Sequence, residues 1–287
     1  MESYVFRWQS SDFEALVESC TFDTVTPYIL KYLPTEGKIV EAGCGLARFI
    51  AYLKDRGYDI EGIEISSQTV EQVKTIRPDL QIIVGDITHL PYADNSLSGM
   101  ISLGVIEHFP AGPESPLREA YRTLKPGSLA IITVPEVNLI RRVKYAIGYY
   151  HLNHWLRQNP FLRRALGKTP RPPNEKLKPV DYRFRRWPTV GDFYEYRLTK
   201  AEFETHLLNA GFEIIESAPI GQMDGLFHDF GRCFVSFRNW KFYPNIVGKA
   251  LNAALSAIPD FHNHMHLCVV GKPVNPRSSV RSALDGR

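Results

Sequence analysis

Three short runs of residues have the types and spacing to hold one charged, nucleoside-like ligand. The first is Glu41-Ala42-Gly43-Cys44-Gly45-Leu46-Ala47-Arg48, which follows an apolar stretch and opens an amphipathic one. Glycines in such a turn let the backbone bend tightly and approach a ligand with no Cβ in the way. A dinucleotide fingerprint would need a third small residue where Arg48 stands, because close helix–strand packing depends on it. Glu41, just ahead of the glycines, would repel a pyrophosphate and suits a ligand bearing positive charge. The second run is Gly62-Ile63-Glu64-Ile65-Ser66, whose Glu64 lies about twenty residues past the glycines, where an acid accepts hydrogen bonds from ribose hydroxyls. The third is Gly85-Asp86-Ile87, with Asp86 placed to meet an adenine amino group. Taken singly, Glu64 also reads as a neighbour of a helix cap and Asp86 as a turn former; their joint spacing with the glycine turn favours a shared ligand site.

Glu107-His108 is the first candidate for catalysis. An imidazole titrates near neutrality, so His108 suits a general base, with Glu107 beside it. The alternative is that the pair only orders its loop. His228-Asp229, in an aromatic-rich stretch, is a second candidate, although a histidine among aromatics is more often packed than catalytic. Cys20, Cys44, Cys233 and Cys268 show neither a CxxC pair nor metal-ligand spacing, so no metal site and no disulfide scaffold is expected.

The elements that must position these residues alternate along the chain. Apolar strand candidates are Ile39-Val40, Ile60–Ile65, Gln81–Val84, Met100–Leu103 and Leu129–Val134, separated by helical patterns such as Ala47–Arg56 and Ser67–Ile76. Apolar runs joined by amphipathic helices predict an α/β fold with a parallel sheet covered on both faces. Ahead of them, about Ser11–Leu33 reads as helix, started by Ser11 or Asp12, divided at Pro27 and ended by Pro34. The rhythm breaks over 138–193, which is rich in Arg, Lys, Pro and aromatics. Helical patterns recur there at Leu139–Leu156 and Phe161–Leu166, and the run from Thr169 to Asn174 reads as loop. Thr199 then caps a helix to Asn209, Gly211 ends it, and Phe212–Glu216 reads as strand. An aromatic stretch from Phe227 to Tyr243 and a helix near Asn245–Ile258 precede a last strand at His266–Val270. The expected division is an N-terminal helical cap (1–36), a ligand-binding core (37–137), a basic aromatic insertion (138–193) and a core helix and strand (194–218). A second insertion (219–264), the last strand (265–273) and a disordered tail (274–287) complete it.

The segment from Lys38 to Pro135 resembles the class I S-adenosylmethionine-dependent methyltransferases, in particular the group that includes ubiquinone- and menaquinone-biosynthesis methyltransferases. The resemblance rests on Glu41-x-Gly43-x-Gly45, Glu64, Gly85-Asp86, Gly104-Val105-Ile106-Glu107-His108 and Leu124-Lys125-Pro126-Gly127. Tyr196–Thr199 and Ala210-Gly211-Phe212 extend it past the insertion. It departs at Gly99, where the group often carries Asp. The resemblance implies a Rossmann-like, seven-stranded, mostly parallel sheet with an antiparallel last strand, helices on both faces and helical lid insertions. It implies S-adenosyl-L-methionine as cofactor, with Glu41, Gly43, Cys44 and Gly45 at its methionine part and Glu64 at the ribose. Asp86 and Ile87 fall at the adenine, and Ile65 and Gly104 complete the cofactor-contacting set.

The expected reaction is methyl transfer to a small or amphipathic acceptor: a quinone-like ring, a lipid or a lipid-linked sugar. The loop after the fourth strand lacks the Asn/Asp-Pro-Pro-Tyr/Phe pattern of base-amino methylation, which disfavours nucleic acid; Asn159-Pro160-Phe161 is in the wrong place to serve. In 138–193, Arg141, Arg142, Lys144, Arg157, Arg163 and Arg164 alternate with aromatic and apolar residues. That pattern reads first as a lid, next as a lid with peripheral membrane contact, and third as a nucleic-acid surface. Two rival functions stay open: a nicotinamide-dependent oxidoreductase, opposed by Arg48 and Glu41, and a non-catalytic module of the same fold that binds a membrane or protein.

The chain has 287 residues and a net charge of +3, too small to name a partner. Its first residues lack the basic-then-apolar pattern of a signal peptide, and no apolar run is long enough to span a bilayer. The expected address is the cytoplasm, with peripheral membrane contact as the variant.

Overall fold

The computed structural model describes residues 12–165, 167, 183–187 and 193–275. The expected loop at 169–174 and the tail beyond 275 lie outside them. Asp12 caps α1 (Phe13–Ser19) by accepting from the Ala15 N–H, and Pro27 sits in the first turn of α2 (Thr26–Tyr32), so the N-terminal helical pattern is divided as its sequence predicts.

A seven-stranded sheet follows, built from β1 (Ile39–Ala42), β2 (Ile60–Glu64), β3 (Ile82–Val84), β4 (Leu97–Leu103), β5 (Leu124–Pro135), β8 (Glu213–Ile220) and β11 (Met265–Gly271). Its order is β3-β2-β1-β4-β5-β11-β8. The first five strands pair in parallel, and β11 runs antiparallel between β5 and β8. The sheet is therefore mostly parallel with an antiparallel last strand, as the resemblance implies.

Alternate residues of each strand feed two apolar layers. Ile39, Ile101, Ile131, Leu267 and Val269 pack with α1, α2, α3 (Arg48–Lys54) and α4 (Ser67–Ile76). Val40, Met100, Ile132, Cys268 and Val270 pack under α5 (Glu114–Thr123) and α9 (Lys200–Asn209). Burial on both faces is why these strands read as continuous apolar runs. The Thr199 and Glu202 side chains close a capping box at the start of α9, and Gly211 leaves it at φ 99°.

Chain order reverses between β1 and β4, and at such a switch point the loops leaving the two strands part to leave a crevice at the carboxyl ends. The helical pattern after β5 is two helices rather than one. These are α6 (Leu139–Ala146) and α7 (Tyr149–Gln158), broken at Gly148, whose φ of 71° ends the first helix and starts the second. Short α8 (Pro160–Ala165) follows. A hairpin of β6 (Phe184–Trp187) and β7 (Phe193–Tyr196) returns the chain to the sheet, where β7 packs on the turn after β4. The last excursion holds α10 (Gln222–Phe230), a hairpin of β9 (Val235–Arg238) and β10 (Lys241–Pro244), and α11 (Ile246–Leu255).

Candidate functional site

At the end of β1 the backbone turns at Gly43 (φ 83°) and Gly45 (φ 51°). The N–H groups of Gly43 and Cys44 both donate to the Ile63 carbonyl, at 2.9 and 3.0 Å, which staples the turn to β2. A Cβ on Gly43 would stand 2.6 Å from both γ-carbons of Val105, the residue that follows Gly104 beyond β4. Glycine here is a steric requirement: the two loops at the switch point touch across it. The Cys44 thiol fills the matching place above Gly62, where an added Cβ would be 2.5 Å away. Arg48, which occupies the third fingerprint position, points away to Asp23 (2.7 Å) and Ser19 Oγ (3.2 Å).

Glu64 organises this turn as well as facing the rim. One of its oxygens accepts from the Gly45 N–H at 2.9 Å and the other from the Ser66 N–H at 3.0 Å. Glu41 is different. Its side chain is buried beneath the turn, and its Oε2 has no hydrogen-bond partner among the described residues. Burial pushes its carboxyl up to about 8; Arg48 pulls the other way and Glu64 adds to the rise. A positively charged group brought close to this buried, unpartnered acid would favour its ionised form.

Further along the rim, Asp86 is exposed and its Oδ1 accepts from the Thr88 N–H at 2.8 Å, which closes a local turn. Ile87 is buried, whereas Ile65 is 39% exposed and offers an apolar surface beside Glu64. Beneath them Ala42, Ile87, Leu90, Ser102, Ile106 and Leu117 line a small cavity into the sheet.

Beyond Gly104 (φ 69°) a single 3-10 turn holds Ile106–His108. It separates the expected catalytic pair. Glu107 turns inward and is buried with Oε2 unpartnered among the described residues, while His108 remains part-exposed. Their nearest nitrogen and oxygen are 3.9 Å apart, too far for a hydrogen bond. Burial holds the Glu107 carboxyl well above the usual range, with nearby Glu195 adding to it. The two are thus a buried acid and a part-exposed imidazole with no hydrogen bond between them. Across the turn, the Gly112 N–H donates to the Tyr196 hydroxyl of β7 at 3.1 Å, which anchors the returning hairpin to this loop.

The second catalytic candidate is tied into structure. His228 pairs with Asp224 at 3.1 Å and stacks on His264 with ring centroids 4.3 Å apart and 16° between planes. Asp224, His228 and His264 offer ligand atoms within 4.8 Å of one another. In stacked imidazoles, however, the in-plane lone pairs run parallel and do not converge on one ion. Asp229 serves Arg141 (3.5 Å), Lys144 (3.5 Å) and Asn138 (3.2 Å).

The reading of 138–193 as an alternation of surface cations needs correction at Arg141. This side chain is only 1% exposed: it donates to the Glu136 carbonyl and lies 2.9 Å from His264 Nδ1 and 3.5 Å from Asp229. Position along α6 decides this, because Arg141 lies on the inward face beside Ile140.

Sequence reasoning missed the polar network to which Arg141 belongs. Glu136, just past β5, accepts from Asn263 and lies 2.9 Å from His266 Nδ1; His266 Nε2 is 2.8 Å from Ser217 Oγ, which in turn donates to Glu204 at 2.6 Å. The signal was the run His262-Asn263-His264-Met265-His266 entering the last strand, an unusual density of polar side chains ahead of a buried segment.

A family model described as a methyltransferase domain matches residues 40–132. That stretch is similar in sequence to methyltransferase domains. It contains β1 to β5 up to Ile132 and every residue of the expected cofactor set. The chain is 32% identical over 96 residues to a demethylmenaquinone methyltransferase of Beutenbergia cavernae, covering 33% of this chain and 39% of that protein. It is 27% identical over 154 residues to a 2-methyl-6-phytyl-1,4-hydroquinone methyltransferase of Synechocystis, covering 50% of this chain and 43% of the relative. The match thus spans well under two thirds of these relatives' own length. Among solved structures, an S-adenosylmethionine-dependent methyltransferase of Methanosarcina mazei superposes with a TM-score of 0.55 at 17% identity, covering 87% of this chain and 98% of that one. The fold is that of the class I methyltransferases, and the cofactor that family and fold imply is S-adenosyl-L-methionine. The residues fit it: the unpartnered Glu41 carboxylate and the Gly43–Gly45 cradle suit a ligand with a cationic amino acid end.

Proposed function

We propose that this protein transfers a methyl group from S-adenosyl-L-methionine to an amphipathic acceptor with a quinone-like ring. The observation that carries the cofactor half is the buried, unpartnered Glu41 oxygen beneath the glycine turn, at the switch point of the sheet. When bound, the cofactor supplies a methyl group on a positively charged sulfur. In this reading Glu41, Gly43, Cys44 and Gly45 hold its methionine part. Glu64 accepts from the ribose hydroxyls, Ile65 and Ile87 flank the adenine, Asp86 meets the adenine amino group, and Gly104 borders the reacting end.

On the acceptor side, His108 removes a proton from a hydroxyl or acidic carbon, since it is the accessible titratable group on the turn after β4. Glu107, buried behind it, positions that turn. The described parts of 138–193, together with 219–264, form the acceptor side in this reading. The acceptor class draws on the relatives, whose names specify demethylmenaquinone and a phytyl hydroquinone. It draws also on the aromatic content of the two excursions. The nicotinamide alternative gains no support, because Arg48 fills the third fingerprint position and is committed to Asp23.

Calorimetric titration with S-adenosylhomocysteine tests the reading. Glu64→Ala removes the ribose acceptor together with two bonds that shape the turn, and should weaken binding by about 1.5–3 kcal/mol. A folded parent that does not bind, or a folded variant that binds equally well, overturns it.

A further inference from the structure

Helices α6 to α8 carry apolar side chains that nothing in the described fold covers. Ile147 is 71% exposed, Leu152 57%, Trp155 57% and Phe161 77%, joined by Val143 and Leu156. Their spacing is helical: Val143 and Ile147 are four apart, and Leu152, Trp155 and Leu156 follow the i, i+3, i+4 rule that puts side chains on one face. α7 has its main contacts with α6 and α8, and none of its described side chains is buried. Large apolar side chains exposed in such number on neighbouring short helices mark an interaction site.

The charge around it is one-sided. No Asp or Glu occurs between Glu136 and Glu175, while Arg and Lys recur throughout. The network around Asp229 takes Arg141 and Lys144 out of the count, leaving exposed Arg142 and Arg164 on the same helices. Tryptophan and phenylalanine with flanking arginines match the boundary between headgroups and acyl chains. No described helix is long and apolar enough to cross a membrane, so any such contact lies in the interface plane. The position matters too. α6 starts four residues after β5 ends, at the carboxyl rim where β1 and β4 also end.

We infer that α6–α8 dock on an anionic lipid surface, seating Ile147, Leu152, Trp155 and Phe161 among the acyl chains while Arg142 and Arg164 meet the phosphates. Docking in this way sets the rim of the sheet beside the membrane, so that a lipid-borne acceptor reaches the crevice without crossing water. The inference deepens the acceptor half of the proposed function, but the docking itself stands without cofactor binding.

The test is cosedimentation of the full chain with vesicles of phosphatidylcholine alone, or of phosphatidylcholine with phosphatidylglycerol, at rising salt. Binding to the anionic vesicles should exceed binding to the neutral ones and fall steeply as the screening length drops from about 10 Å at 0.1 M to about 3 Å at 1 M. The double variant Arg142→Gln/Arg164→Gln should bind anionic vesicles about 25-fold more weakly, roughly fivefold per basic residue. Ile147→Ser and Phe161→Ser should each lose about tenfold, by exposing one apolar side chain's worth of transfer energy. Leu208→Ser, an exposed leucine on α9, should change nothing. Circular dichroism and titration with S-adenosylhomocysteine on the same samples separate this result from misfolding and from failure of the cofactor reading. No vesicle binding at low salt overturns the inference, as does equal binding to neutral and anionic vesicles. So does self-association or RNA binding that the same variants abolish while vesicles are ignored.

Discussion

Replacing Glu41 with Gln should make the protein more stable and a worse ligand binder at the same time. The buried carboxyl ordinarily ionises near 4.5 and here is pushed up to about 8, so at neutral pH folding requires it to take up a proton that the unfolded chain lacks. The sign follows directly. With a folded value above the unfolded one, the group is neutral in both states below about pH 4.5, and its penalty grows as pH rises toward 8 and levels off beyond. pH 7 lies about 2.5 pH units above the ordinary value, and at 1.36 kcal/mol per unit the folded state gives up about 3 kcal/mol. Glutamine keeps the shape and carries no charge at any pH. Arg48 is not stranded by the change, because Asp23 and Ser19 hold it. Urea denaturation at pH 5, 6, 7 and 8 should therefore show a Gln variant about 1 kcal/mol more stable than the parent at pH 5 and about 3 kcal/mol more stable at pH 7. S-adenosylhomocysteine affinity should fall by about 1.5–3 kcal/mol, the range for a hydrogen bond to a charged group. Parent binding at pH 7 should release a proton, read as a dependence of titration heat on buffer ionisation enthalpy. A stability difference that stays flat from pH 5 to 8, or a less stable variant, would refute the argument that Glu41 is an unpaired buried acid.

Two further substitutions probe the scaffold. Gly43→Ala forces a Cβ into Val105 and an alanine to φ 83°, and should destabilise the fold by about 1–3 kcal/mol and abolish cofactor binding. Adding Val105→Ala should recover the steric share and leave the backbone share, as thermal melts would register. Arg141→Met leaves Asp229 buried with Lys144 as its remaining cation, so a loss of about 3–5 kcal/mol in urea unfolding is expected. A loss below 1 kcal/mol would show that Arg141 is a solvated surface cation after all.

The sheet core was legible because its signals are local and redundant. Each of the first five strands is an apolar run that both layers must bury, and each cap at Asp12, Ser66 and Thr199 satisfies N–H groups within three residues of itself. The glycine turn was legible for a similar reason: Gly43 and Gly45 at that spacing follow β1 at once, and Glu64 follows at the end of the next strand. What the sequence by itself determined was therefore the order of the core strands and helices, the strand-end positions of Glu41, Glu64 and Asp86, and the methyltransferase-like pattern they compose.

Tertiary structure decided which of these side chains are alone. Nothing local distinguishes Glu41 from Glu64, yet one lies unpartnered in the interior and the other accepts two backbone N–H groups, because the turn folds over the first and around the second. Adjacency in sequence paired Glu107 with His108, and the 3-10 turn that holds them buries the first and leaves the second part-exposed, 3.9 Å from it. Arg141 and Arg142 are neighbours of the same type, and the helix phase set by packing α6 on the end of β11 buries one and leaves the other in water. Charge and polarity are written in the residue, whereas desolvation and pairing depend on partners a hundred or more positions away, and only the folded chain brings those together.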